Sequence, residues 1–92
     1  MSSKRRDKVT IIYEMLCAIM KKGGRIKPTH LLYKSNLSYK RMLPLLDELQ
    51  NKGLVDEEKC GDKKIYTLTD EGSEFIREYK RMKEFVDSFG FD

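Results

Sequence analysis

Between positions 9 and 20, Val9, Ile12, Tyr13, Leu16, Ile19 and Met20 recur every three or four residues. That period lays one apolar stripe along a helix, predicted from about Asp7 to Lys22. Asp7 suits the positive end of the helix dipole, and Lys21 and Lys22 suit the negative end. Gly23-Gly24 can take the positive φ that ends a helix. Arg25-Ile26-Lys27 reads as a short extended stretch, because Pro28 disfavours helical backbone in the residue before it. Pro28 fits the first turn of a short helix, about 28–34, with Leu31 and Leu32 facing inward. Ser35-Asn36-Leu37 reads as a turn, since asparagine tolerates left-handed backbone. Ser38 is a good N-cap for the next helix, about 39–52, with Met42, Leu45, Leu46 and Leu49 as its buried stripe and Gly53 at its end.

Leu54–Glu58 and Lys63–Leu68 read as two strands joined by a turn at Cys60-Gly61-Asp62, where Gly61 can take positive φ. Thr69 caps a last helix, about 70–88, with Asp70 and Glu71 in its first turn. Phe75, Tyr79, Met82, Val86 and Phe89 lie 4, 3, 4 and 3 residues apart, which is a heptad seam. A helix of this length spans ~28 Å at 1.5 Å per residue, too long for a small domain to cover. With Phe85 also apolar near the end, the seam calls for a partner helix, most simply that of a second chain. The alternative folds the whole stripe back onto one body.

This order of elements is the plan of a winged helix-turn-helix domain: mainly α with a small β-hairpin, and a long C-terminal dimerisation helix. Residues 1–6 form a basic N-terminal arm, 7–69 the winged helix-turn-helix domain, and 70–92 the dimerisation helix. Such a plan sets one helix end beside one hairpin tip, a spacing that fits a DNA groove and its flanking phosphates.

Charge sharpens that reading. Charged residues make up 37% of the chain and the net charge is +4, but they are unevenly placed. Residues 1–46 carry eleven Lys/Arg and two Asp/Glu; residues 47–92 carry eight and thirteen. A basic front half attracts polyanions and an acidic second half repels them. On the second helix of the pair, a 100° step turns Lys40, Pro44, Asp47 and Asn51 outward, flanked by Tyr39, Arg41 and Leu43. Its first turn presents Ser38, Tyr39, Lys40 and Arg41 with free amide groups, suited to phosphate, and Lys40 or Arg41 can reach a guanine edge. Asp47 and Glu48 restrict the approach to the N-terminal part of the helix. Pro44 removes the bond to the Lys40 carbonyl, so either the helix kinks there or it begins near Pro44. Lys59, Lys63 and Lys64 surround the hairpin tip, where they can hold phosphate or block edge pairing. Asp56, Glu57, Glu58 and Asp62 dilute their field. Lys4, Arg5 and Arg6 can contact phosphate or a minor groove, or serve only solubility.

Other chemistry finds little footing. His30 is the only histidine, and it shares no ligand spacing with Cys17 or Cys60, so neither a metal site nor a cofactor is expected. No GxxxxGK[ST], GxSxG or HExxH occurs, and an enzyme is not expected. Tyr13, Tyr33, Tyr39, Tyr66 and Tyr79 do not fall on one sheet face, as a single-strand stacking platform needs. No apolar run approaches the ~20 residues of a membrane span, and a cytoplasmic location with free thiols is expected.

Tyr33-Lys34-Ser35-Asn36-Leu37-Ser38-Tyr39-Lys40-Arg41, Leu46-Asp47-Glu48-Leu49, Gly53-Leu54-Val55 and Tyr66-Thr67-Leu68-Thr69-Asp70-Glu71-Gly72 resemble the small archaeal winged-helix proteins, of the ten-kilodalton chromatin-associated type. The resemblance runs from about Val9 to Phe89. It implies a homodimer joined by an antiparallel coiled coil of the last helices; the heptad alone leaves parallel and antiparallel open. It also implies double-stranded DNA as ligand. On the matching positions Lys34, Ser38, Tyr39, Lys40 and Arg41 face DNA, and Phe75, Tyr79, Met82, Val86 and Phe89 form the seam. The expectation is a DNA-binding dimer acting in transcription regulation or DNA organisation. The alternative is a winged-helix protein-interaction module without DNA affinity, which the acidic second half favours.

Overall fold

Three of the four helices begin on a side-chain cap, and those caps set where the chain changes direction. In the computed structural model, which describes residues 7–90, α1 spans Lys8–Lys21, α2 Pro28–Ser35, α3 Tyr39–Asn51 and α4 Asp70–Asp87. Asp7 Oδ1 accepts the Thr10 amide at 2.8 Å, and the Thr10 side chain, followed by this amide bond, holds the Asp7 carboxyl below the usual carboxylate range. Ser38 Oγ accepts from the Arg41 amide at 3.2 Å. Asn36 is left-handed at φ 57°, which turns α2 into α3. α3 is one continuous helix with Pro44 inside it, so it does not begin at the proline. The proline lies on the exposed side of the helix.

The strands are β1 (Arg25–Ile26), β2 (Val55–Cys60) and β3 (Lys63–Leu68), in the antiparallel order β1-β3-β2. The hairpin expected from sequence is therefore the larger part of a three-stranded sheet. Cys60 belongs to β2, opposite Lys63, so the turn is only Gly61-Asp62. Gly61 has φ +65° and Asp62 a negative φ, the combination of a II′ turn, whose twist matches the flanking strands.

Met15, Leu16, Ile19, Ile26, Leu31, Met42, Leu46, Leu49 and Val55 are fully buried, and with Tyr66 of β3 and Ile76 of α4 they draw every element into one core. The buried face of α1 is Ile11, Ile12, Met15, Leu16 and Ile19. Relative to the stripe read from sequence it is rotated by roughly 60° at 100° per residue. Val9 and Met20 are exposed at 47% and 45%. The rotation follows from what packs on α1: α2, α4 and the sheet together cover an arc centred on Met15 and Ile19. Leu32 and Leu45, expected inside, are half-buried.

Thr69 clamps the wing exit to the body. Its hydroxyl donates to the Gly53 carbonyl at 2.7 Å and accepts from the Gly72 amide at 3.0 Å, while its amide donates to the Leu54 carbonyl at 3.2 Å. The first turn of α4 lies so close to this loop that Gly72 is buried and has no room for a side chain. Beyond Tyr79 α4 leaves the core, and residues 80–90 are all exposed.

Candidate nucleic-acid interface

The first turn of α3 is held outward by its cap. Ser38 Oγ accepts the Arg41 amide and keeps its own hydroxyl proton free to donate. Tyr39, Lys40 and Arg41 are exposed, and Lys40 and Arg41 make no ion pair among the described residues. They border a shallow groove with Pro44, Leu45, Lys8 and Glu48. Lys8 Nζ donates to Glu48 Oε2 at 3.0 Å, and this bond lowers the Glu48 pKa. One acid on the outer side of α3 is thereby neutralised by the start of α1. Asp47 stays exposed about two turns beyond Lys40.

The wing lysines do not act as one cluster. Strand alternation sets Lys59 and Lys64 directly opposite each other, on the face that carries buried Val55 and Tyr66. That is the side packed on α3, where Gln50 Nε2 donates to Glu57 Oε1 at 3.3 Å. Lys63 is on the other face with Cys60, Glu58 and Arg25. Two ammonium groups directly opposite repel. Glu57, 3.8 Å from Lys64, relieves part of that repulsion, while Lys59 and Lys63 have no ion pair among the described residues. Arg25 donates to Glu58 at 3.0 Å, so one of the acids diluting the wing is also paired.

Lys34 is brought to a different place. It borders a groove with Ala18, Lys21, Lys22 and His30, not with Lys40 and Arg41. Lys4, Arg5 and Arg6 lie outside the described residues. Of the five seam residues, Phe75 and Tyr79 are half-buried within the protomer. Tyr79 stacks on Tyr13 at 4.4 Å and on Phe75 at 6.2 Å between ring centroids, and its hydroxyl lies 3.0 Å from Thr10 Oγ1. Met82, Phe85 and Phe89 are 55%, 65% and 63% exposed, and Val86 is exposed beside them. Phe85 and Phe89 meet edge to face at 5.2 Å. No group of His, Cys, Asp and Glu among the described residues could hold a metal ion. None of the described helices is long and apolar enough to cross a membrane.

Residues 5–87 match the model of the winged helix-turn-helix family. The chain belongs to that family. Solved winged-helix structures agree. Sso10a-2, a DNA-binding protein from Sulfolobus solfataricus, superposes with a TM-score of 0.75 at 23% identity, over 92% of this chain and 90% of its own. F93 from STIV, a winged-helix DNA-binding protein, gives 0.73 at 20% identity over 89% and 95%. TubR from Bacillus thuringiensis, solved bound to 24 bp of tubC, gives 0.68 at 27% identity over 78% and 81%. No curated protein matches the sequence. The resemblance to small archaeal winged-helix proteins thus extends from motifs to the backbone, and the fold is the winged helix.

Within this winged-helix frame, several cations not singled out from sequence come together. Lys8 reaches α3 from the start of α1. Lys21, Lys22, Arg25 and Lys27 converge on His30 from α1, β1 and the residue before α2. These four lie within nine residues of His30 in the chain, and the turn from α1 through β1 into α2 folds them around it.

Proposed function

We propose that this chain is a homodimer that binds double-stranded DNA through the first turn of α3 and the α3-facing side of the wing, acting as a transcription regulator or DNA-organising protein. The observation that carries the reading is the exposed set Ser38, Tyr39, Lys40 and Arg41 at the start of α3, on the side of the sheet that bears Lys59 and Lys64. Lys40 or Arg41 supplies base-edge contact in the major groove, and Lys59 and Lys64 hold flanking phosphate. Arg5 and Arg6 are proposed to extend this backbone contact. DNA is the stated partner of Sso10a-2, F93 and TubR, which supports the same ligand here.

Dimerisation rests on the free half of α4. Four large apolar side chains, Met82, Phe85, Val86 and Phe89, stand on one exposed helix end. A second α4 removes them from water, with Phe75 and Tyr79 at the margin of the contact. Two protomers present two α3 helices, as a dimer reading two half-sites requires.

The test is fluorescence anisotropy of labelled duplex DNA at two salt concentrations with unlabelled random competitor. Tight binding that survives competitor marks a sequence-specific regulator. Salt-sensitive binding removed by competitor marks a general DNA-organising binder. Absence of binding at low salt refutes the reading and favours a protein-interaction module.

A further inference from the structure

We infer that the cleft between the end of α1, β1 and the first turn of α2 is a binding site for a phosphate group, distinct from the α3 surface. The cleft has a volume of about 470 Å³ and is lined by Lys22, Arg25, Ile26, Lys27, His30 and Ile65. A second hollow of about 250 Å³ adjoins it, sharing Lys22 and His30 and adding Ala18, Lys21 and Lys34. Five cations from three parts of the chain therefore surround one half-buried imidazole. No carboxylate lines either hollow.

The charge there is unbalanced in a way it is not on α4. On α4, Arg77 pairs with Glu74, Arg81 with Glu78 and Lys83 with Asp87. Around the cleft only Arg25 is paired, to Glu58; Lys21, Lys22, Lys27 and Lys34 have no ion pair among the described residues. On the α1 side Glu14 lines the adjoining groove between α1 and α4, which also includes Lys21 and Lys34. Like charges gathered on a small domain repel, and a bound oxyanion converts that repulsion into attraction. His30 registers the field. Partial burial and then Lys22, Lys34 and Lys27 push its pKa below the usual histidine value. At neutral pH the imidazole is uncharged and offers one ring N–H donor. α2 begins at Pro28 with Lys27 as its N-cap and no side-chain cap, so no side chain of the cap position occupies the first-turn amides of Thr29 and His30. Several converging cations suit a multiply charged tetrahedral oxyanion better than a single carboxylate, which would neutralise only one of them. The phosphate can come from a DNA backbone strand or from a small phosphorylated molecule.

His30 is the sole histidine, so its imidazole proton resonance is a one-signal reporter. The experiment is a pH titration of that signal in the full-length protein with sodium sulfate, with duplex DNA, and with sodium chloride at matched ionic strength. Sulfate keeps its charge over this range and stands in for a small phosphate. An anion in the cleft favours the charged imidazole and raises its pKa, by about half a pH unit for a screened, half-buried site. A rise with sulfate identifies a small-molecule site, and a rise with duplex alone identifies a backbone-phosphate contact. In either case K22Q combined with K27Q should abolish the rise. Anisotropy on the same samples separates this inference from the DNA-binding reading. Duplex binding without any change at His30 under sulfate or DNA overturns the cleft and leaves the α3 interface standing. A sulfate response without duplex binding does the reverse. A full response in the double variant also overturns the assignment.

Discussion

Gly72→Ala should destabilise the protein by about 2 kcal/mol, although alanine is the better helix former by about 1 kcal/mol. A Cβ on Gly72 would overlap the Leu54 carbonyl oxygen and stand 2.6 Å from Leu68 Cδ1. Carbon atoms pack at about 3.5–4.0 Å, so the overlap with Leu68 alone is roughly 1 Å. Leu68 can rotate away; the Leu54 carbonyl cannot move without disturbing the bond it accepts from the Thr69 amide. Overpacking of this kind costs about 1–3 kcal/mol, and losing that bond adds about 1 kcal/mol. Set against the helix gain, the net loss is about 2 kcal/mol. For a domain of this size that lowers Tm by roughly 8–16 °C. Differential scanning calorimetry of the two proteins at one concentration checks it. A Tm within 2 °C of the parent, or above it, would refute the claim that α4 enters against the wing through a side-chain-free contact. S73A, on a half-buried neighbour, controls for substitution in the same turn.

Other outcomes are expected on the same grounds. M82E with F85E places two carboxylates per chain in the proposed helix contact and should weaken dimerisation by about 100-fold, or ~2.7 kcal/mol; sedimentation velocity reads this, and an unchanged dimer rejects the contact. K59A with K64A should weaken duplex binding on every sequence and flatten its salt slope by about 0.9 for each phosphate no longer neutralised. K63A, on the opposite face, should change it less, and equal effects would contradict the face assignment. Glu48 has a folded pKa below its unfolded value of about 4.3, so its bond to Lys8 stabilises the fold above that value. The stabilisation should disappear as pH falls through the lower folded value. Melts of K8A and the parent should therefore differ at pH 6 and converge in acid; a constant difference would show that the contact is not ionic.

Local rules are enough to delimit the elements, because the signals that start and stop them act within a few residues. Ser38 and Thr69 cap as their side-chain oxygens predict, Asn36 supplies the left-handed turn, and Gly61 the hairpin reversal; Asp7, read from sequence as a partner of the helix dipole, is the cap of α1. Pro44 is ambiguous in the sequence because a kink and a late start leave the same gap in the bonding pattern. The Ser38 cap and the packing of Met42, Leu46 and Leu49 resolve it in favour of one continuous helix.

Facing is less legible than position. A helical period gives an apolar stripe but not its centre, and α1 buries Ile11 and Met15 in place of Val9 and Met20 since three elements close over it. Pleating divides the wing lysines between two faces, which composition cannot reveal. The last helix carries its apolar residues at heptad spacing, yet Tyr79 of that series stacks on Tyr13, 66 positions away, and Phe75 stacks on Tyr79. Sequence alone therefore determined the helices, strands, turns and family, all of which depend on neighbours within a turn or two of chain. Tertiary structure decided which half of α4 stays bare and which lysines share a face with α3. Those depend on contacts between distant segments, and no local period encodes them.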